Sequence, residues 1–291
     1  MNAPASALCA APEHTAAASW PDRIAARAQR CLQLEVDTWP KPGLVSRVDS
    51  GSHDDMDAAT FDRSAAALRP YFAELAAAGL RDAEMSVLRR IGLAAERAML
   101  AATGGINTHR GAIFGLGLLC AAAGLQRSGR VEPGAALGAS VARRWGDAIR
   151  GGPRLAGSHG ERALRDHAAG GARAEAASGF ATVYALGVPA LRDAARLQPG
   201  DAEAARVQAC FALIAGLDDT NLLHRGGVAG LRFAQHAARA FLARGGVAQP
   251  AWRDAAAGVH RAFVRRRLSP GGAADLLAMS VFVLSFEQGV L

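Results

Sequence analysis

The chain has 291 residues, 51% of them hydrophobic and 20% charged, with a net charge of +7. That length and apolar content support a sizeable core and exclude an intrinsically disordered chain. Alanine and leucine dominate and aromatic residues are only 5%, which favours helix over sheet, while the positive charge suits a nucleotide, a nucleic acid or an acidic surface as partner.

Arginine-biased coding is the other source of such a charge. Of the 33 basic residues only Lys41 is a lysine. An ammonium and a guanidinium are not interchangeable at a tight phosphate site, so Lys41 is a candidate phosphate ligand. Cys9, Cys31, Cys120 and Cys210 are far apart, with no CxxC pair. This argues against zinc-finger and disulfide frameworks and fits free thiols in a reducing cytoplasm. No basic segment precedes an apolar run at the N-terminus, so no secretory signal is expected. The longest apolar runs, 112–124 and 273–286, are too short to span a bilayer. A cytoplasmic protein without membrane contact is the expectation.

In chain order, residues 1–19 lack any period and read as a loose tail before one domain over 20–291. Ser19 and Pro21 open a helix with Ile24, Ala28, Cys31 and Leu32 on one face, stopping before Pro40. WPKPGLVSRVDSGSHDDMD follows as a long irregular connection. Its His53, Asp54, Asp55 and Asp57 could hold a hard cation or move protons, unless the loop is merely solvated and one Asp caps the next helix. That helix spans about 57–78, with Phe61, Leu68, Phe72 and Leu75 inward, a kink at Pro70 and an end at Gly79. Asp82 is expected to cap the next, to about 102, with Leu88, Ile91, Ala95 and Met99 at helical spacing. Glu96 lies along it, either on the surface or toward the loop that follows.

The stretch TGGINTHRGAIFGLGLLCAAAG at 103–124 passes from glycine loop to apolar helix. Asn107 or Thr108 can cap the helix start. Its free N–H groups and positive dipole end favour phosphate, and His109 and Arg110 add a titratable ring and a fixed charge. A capped, buried helix with an ordinary polar lead-in is the alternative. A helix at about 133–149 comes next. Two glycine patches then frame a short polar helix, and Arg173 follows as a phosphate clamp or a surface arginine. After helices at 188–197 and 201–216 comes LDDTNLLHRGGVAGL. Asp218 and Asp219 could converge on one ion in a turn, and Arg225, Gly226 and Gly227 lead to a helix start at 228, a second anion-friendly geometry. Helices follow at 228–243 and 251–268, the latter ended by Arg265–Arg267 in keeping with its dipole. Ser269 is expected to cap a last helix with Pro270 in its first turn. Asp275 lies a turn in, toward solvent or the site.

No strand pattern of convincing length exists. The fold class is all-α: a single-domain multi-helix bundle of about ten or eleven helices, with glycine-rich loops forming the site at one end. No Walker lysine motif, GxGxxG, HExxH or G-x-S-x-G is present. The few aromatics offer little stacking for a nucleic acid. What remains is a binder of polyphosphate through helix starts, arginines and a carboxylate-bound divalent metal.

Six blocks in order give a family resemblance: KPGLVS at 41–46, GSHDDMD at 51–57, ATGGINTHRGAIF at 102–114, GGARAEAASGF at 170–180, DDTNLLHRGG at 218–227 and SPGGAADLLA at 269–278. From about Glu35 to its end the chain resembles the triphosphoribosyl-dephospho-CoA synthases. Arg110 stands where lysine is expected in many relatives. SHGERALRDH and YALGVPALR look more like the malonate decarboxylase branch than the citrate lyase branch. The resemblance implies that ATP and 3′-dephospho-CoA are joined with release of adenine. The product would be passed to a second enzyme that loads an acyl carrier protein. It implies Mg²⁺ held by Asp55, Asp218 and Asp219, which could also steady a cationic sugar, with Asp275 a further metal candidate. Lys41, Arg173 and Arg225 would grip phosphates. His53 or His109 would transfer protons beside Asp55 and Asp219. Gly104, Gly105, Asn107 and Thr108 would shape the loop around the nucleotide, with Arg110, Asn221, Gly226 and Gly227 completing the substrate contacts. A metal-dependent ribosyl or ADP-ribosyl hydrolase on a helical scaffold is the other enzyme reading. The oligomeric state is open, a homodimer being one option.

Overall fold

Eleven α-helices carry the described residues, 18–132, 134–153 and 171–288, of the computed structural model, and no strand occurs among them. They are α1 (Trp20–Asp37), α2 (Ala58–Leu80), α3 (Met85–Ala102), α4 (Arg110–Arg127), α5 (Leu137–Arg150), α6 (Gly171–Ala177), α7 (Val188–Leu197), α8 (Ala202–Gly216), α9 (Thr220–Ala243), α10 (Trp252–Arg265) and α11 (Gly271–Gln288). A π-turn, Val183–Gly187, leads into α7, and a 3-10 turn, Gly246–Ala248, precedes α10. The tail expected over most of 1–19, the short polar helix before Arg173, and Pro133 lie outside the described residues. The all-α fold is as expected.

Helix starts follow the side-chain oxygens. Ser19 accepts the Asp22 N–H at α1, Asp57 that of Thr60 at α2, and Asp201 that of Ala204 at α8, each meeting one of the free donors of a first turn. Two expected boundaries move. Gly79 does not end α2, which runs through Pro70 and Gly79 to Leu80. The glycine is there for contact, because a Cβ on it would overlap the carbonyl of Ala121 on α4. Asp82 does not cap α3 either. It sits at φ +56°, and its carboxylate is taken by Arg130 and Arg144. Glu84 precedes α3 with no side-chain cap.

Helix α4 is the axis of the body. Every residue from Gly115 to Leu125 is buried, as expected of a helix apolar all round. It packs on α2, α11, α5, α3 and α1. Glycines set the closeness of α2 and α4: Gly79 faces Ala121, and Gly124 faces the Ala76 carbonyl. Helix α11, also buried on most of its surface, runs beside α4. Phe211 and Phe241 stack at 4.0 Å between α8 and α9. The first turns of α4, α9 and α11 face one shared cavity.

Candidate functional site

The cavity measures about 1230 Å³, larger than the roughly 300–1,000 Å³ of a typical small-molecule pocket. Its wall takes Glu35 from α1, His53 and Asp55 from the α1–α2 connection, and Asn107–Gly111 from the head of α4. It continues through Arg173 of α6, Asp218–Asn221 and Arg225 at the head of α9, and Asp275 in the first turns of α11. Helix heads bring free N–H groups to the wall, a geometry suited to anions.

The expected residues divide sharply. Asn107, Thr108, His109, Arg110, Arg173, Asp218, Asp219, Asn221, Arg225, His53, Asp55 and Asp275 all line the cavity; Lys41, Gly104, Gly105, Gly226 and Gly227 do not. Gly104 and Gly105 close α3 instead. Gly104 takes φ +67°, and the Gly105 N–H donates to the Leu100 carbonyl at 2.7 Å, which is the glycine-terminated helix cap of the Schellman type. The head of α4 begins after them, with Asn107 Oδ1 accepting the Arg110 N–H at 3.1 Å. Residues 220–226 are already helical, Gly227 at φ +59° is non-helical, and the helix start expected at 228 follows it, the two segments together making the kinked α9; a Cβ on Gly226 would press on Leu268.

Lys41 has no exposed surface and pairs with Glu35. Glu35, 5% exposed, stands between it and the cavity. The lone lysine therefore serves a buried carboxylate rather than the lining. Nothing in the sequence marked Glu35 beyond its place at the start of the family resemblance.

Asp219 is a cap with two heads. Its Oδ1 accepts the N–H groups of Asn221 and Leu222 at the start of α9, and its Oδ2 accepts that of Ala273 at the start of α11. Burial pushes its carboxyl up while these N–H groups pull it back. With both oxygens committed it is poorly placed to ligate a metal. The cap expected from Ser269 is thus made by Asp219, and the Ser269 hydroxyl meets His53 Nε2 at 2.9 Å instead. Asp219→Ala leaves three helix-head donors unpaired in a buried setting and is expected to cost about 2–4 kcal/mol of stability, measured by urea unfolding.

The histidines differ. His53 Nδ1 accepts from Arg225 at 3.2 Å and lies 3.6 Å from Asp55. Burial, then the Arg225 charge, lower its pKa. Arg225 also donates to the carbonyls of Ser52 and Arg267, tying α9 to the connection and to the end of α10. His109 is buried. Thr108 donates to Ser64, leaving the Ser64 hydroxyl to donate to His109 Nδ1 at 2.6 Å. The ring proton is then on Nε2, a buried atom with no partner among the described residues. Burial, then Lys41, push this histidine down to about 3. It can donate a hydrogen bond at neutral pH but not the proton of an imidazolium.

At the rim Arg110 pairs with Glu96 at 2.5 Å, and Arg173 donates to the carbonyls of Gly152 and Pro153. Asp55 and Asp218 are exposed, and Asp218 accepts from Gln235 at 3.2 Å. Asp57 is spent on its cap. Among the described residues no group of three or more His, Cys, Asp or Glu side chains is arranged to hold a metal ion. The expected set of Asp55, Asp218, Asp219 and Asp275 therefore shares a cavity without forming a ligand cage.

An all-α body around a cavity of this size, with arginines at its rim and buried carboxylates on its floor, defines a helical protein built to receive a bulky anionic ligand. The family described as CitG: ATP:dephospho-CoA triphosphoribosyl transferase matches residues 21–290, and the chain belongs to this family of enzymes. It is 40% identical over 268 residues to a probable 2-(5″-triphosphoribosyl)-3′-dephosphocoenzyme-A synthase of Acinetobacter calcoaceticus, covering 91% of each chain. The 2-(5″-triphosphoribosyl)-3′-dephosphocoenzyme-A synthase of Pectobacterium atrosepticum is 42% identical over 264 residues, covering 87% of this chain and 86% of its own. That of Klebsiella pneumoniae is 40% identical over 283 residues, with 93% of each covered. No solved structure matches. Among the described residues no helix is long and apolar enough to cross a membrane.

Proposed function

We propose that this chain transfers the 5-triphosphoribosyl group of ATP to the 2′-hydroxyl of 3′-dephospho-CoA, releasing adenine and yielding 2′-(5″-triphosphoribosyl)-3′-dephospho-CoA. The observation that carries this reading beyond family membership is that one cavity is lined by the exposed Arg110 and Arg225, the half-buried Arg173 and Asp275, and the buried Glu35 and Asp219. Phosphates suit the rim, where each guanidinium has donors beyond those already used. The breaking glycosidic bond leaves positive charge on the sugar, which the buried carboxylates of Glu35 and Asp219 would stabilise.

Magnesium fits as a substrate-borne ion. Mg²⁺ is commonly held by one or two carboxylates together with phosphates and water, and the exposed Asp55 and Asp218 are available for that. They would hold it against the triphosphate. The chemistry it supplies there is charge neutralisation and orientation, since the triphosphate is kept. His53, braced between Arg225 and Ser269, fixes the connection beside Asp55. His109 offers an uncharged N–H donor next to the head of α4.

We assign the branch of metabolism on sequence resemblance alone. The stretch 184–192, which forms the π-turn and the start of α7, resembles relatives serving malonate decarboxylase, so the product would go to a transferase acting on that enzyme's carrier protein. The cysteines described, Cys31, Cys120 and Cys210, are free and buried, in keeping with a cytoplasmic enzyme.

Incubation with ATP and Mg²⁺, with and without dephospho-CoA, tests the reaction. Adenine is expected only when dephospho-CoA is present, with a product heavier by one triphosphoribosyl group. Equal adenine in both tubes would make the acceptor water and the protein a ribosyl hydrolase.

A further inference from the structure

Three carboxylates meet at the cavity floor although their residues are far apart in the chain: Glu35 near the end of α1, Asp219 at the head of α9 and Asp275 in the second turn of α11. Their surroundings set them apart. Asp219 is saturated by backbone N–H groups. Glu35 has a dedicated cation, Lys41, sealed from solvent behind it. Asp275 has none; among the described residues no basic side chain pairs with it. Its carboxyl lies directly over Gly111, where a Cβ would overlap Oδ2, and accepts the Ala112 N–H in the first turn of α4.

Resting on the transfer reaction proposed above, we propose that Glu35 and Asp275 form its acid–base pair. Glu35, as the carboxylate paired to Lys41, takes the proton of the attacking ribose hydroxyl, and Asp275, as the carboxylic acid, gives a proton to the departing adenine. The charged and titratable groups around Asp275 support the division. Glu35 comes from α1, Asp219 from the head of α9, and the uncharged His109 sits two residues before Gly111 on α4. Burial, then the charges of Glu35 and Asp219, drive Asp275 well above the usual carboxylate range, and the single Ala112 N–H opposes this only in part. One carboxyl facing a buried ammonium and a second with no cation beside it are the unlike surroundings that one base and one acid require in a single site.

The step balances without an outside reactant. The bond from C1′ of the ATP ribose to the adenine nitrogen breaks, its electron pair staying with adenine, which takes the Asp275 proton. The bond from C1′ to the 2′-oxygen of dephospho-CoA forms, and the hydroxyl proton goes to Glu35. Glu35 is then the acid and Asp275 the carboxylate, and one proton passing from the first to the second restores the enzyme. Gly111 permits the approach of Asp275 to the helix head, and Lys41 is a positioning residue acting through Glu35.

The test measures adenine release at saturating ATP and dephospho-CoA, together with ATP affinity by calorimetry, in Glu35→Gln and Asp275→Asn. Each is expected to lower kcat by about 100-fold or more while ATP affinity stays within about threefold. The pH profile separates chemistry from structure. Wild type should lose rate at high pH as Asp275 ionises, and Asp275→Asn should lose that alkaline limb while Glu35→Gln keeps it. If the amides fail to fold, Asp275→Glu should shift the alkaline limb and Glu35→Asp should restore part of the rate. A kcat within tenfold of wild type in either amide variant, or an alkaline limb unchanged in the Asp275 variants, overturns the pair while leaving the reaction intact. A wild-type enzyme releasing no dephospho-CoA-dependent adenine overturns the reaction and the pair with it.

Discussion

Lys41→Met is expected to lower the unfolding free energy by about 3–5 kcal/mol, the cost of leaving one member of a buried ion pair without its partner. Lys41 is fully enclosed and Glu35 nearly so, so water can replace the lost ammonium only by opening the wall. The double variant Lys41→Met, Glu35→Gln removes both charges and should recover most of the loss, although it should remain inactive if Glu35 carries the base. Urea unfolding of the two variants, with an assay of adenine release, checks both statements. A deficit below about 1 kcal/mol in the single variant would mean that Glu35 is not held as a buried charge. Arginine is no substitute at this position, because its larger planar head has no room where a lysine side chain is already sealed.

The second large effect lies between α2 and α4. Gly79→Ala and Gly124→Ala should each destabilise by about 2–3 kcal/mol, in spite of the roughly 1 kcal/mol that alanine ordinarily gains over glycine inside a helix. The new methyl groups would overlap backbone carbonyls, of Ala121 and Ala76 respectively. A backbone cannot swing aside as a side chain can, so the helices must separate along their length and the packing around α4 loosens. Gly92→Ala on α3 is the control. Nothing lies within 4 Å of its added Cβ, and it should stabilise by about 0.5–1 kcal/mol. Thermal unfolding of the three variants should order them in that way. Equal melting temperatures would refute the close approach of α2 and α4.

Much of the helical pattern is legible from local rules. A period of 3.6 in the apolar residues marks the helices, and Ser19 and Asp57 offer two starts, because a short oxygen-bearing side chain satisfies a free N–H wherever a helix begins. The rules fail where a residue has a distant use. Asp82 looks like a cap and is occupied by Arg144, 62 residues away. Gly79 looks like a terminator and is a contact surface. The cavity was legible in outline, since most of the polar residues singled out do line it, but its chemistry was not. Glu35 hides at the end of an amphipathic helix, where a glutamate is usually solvated, and Gly104 and Gly105 resemble a phosphate loop until the Gly105 N–H is traced to the end of α3.

The sequence by itself determined the all-helical class, the helix start at Ser19 and the family, because periodicity, capping and ordered motifs are properties of neighbouring residues. Only the tertiary structure decided that Lys41 faces a carboxylate, that Asp219 ties two helix heads together, and that Asp275 lies beside Gly111 without a cation. Each depends on which segments meet in space, and a helical pattern tells which face is turned inward without telling what it will be turned against.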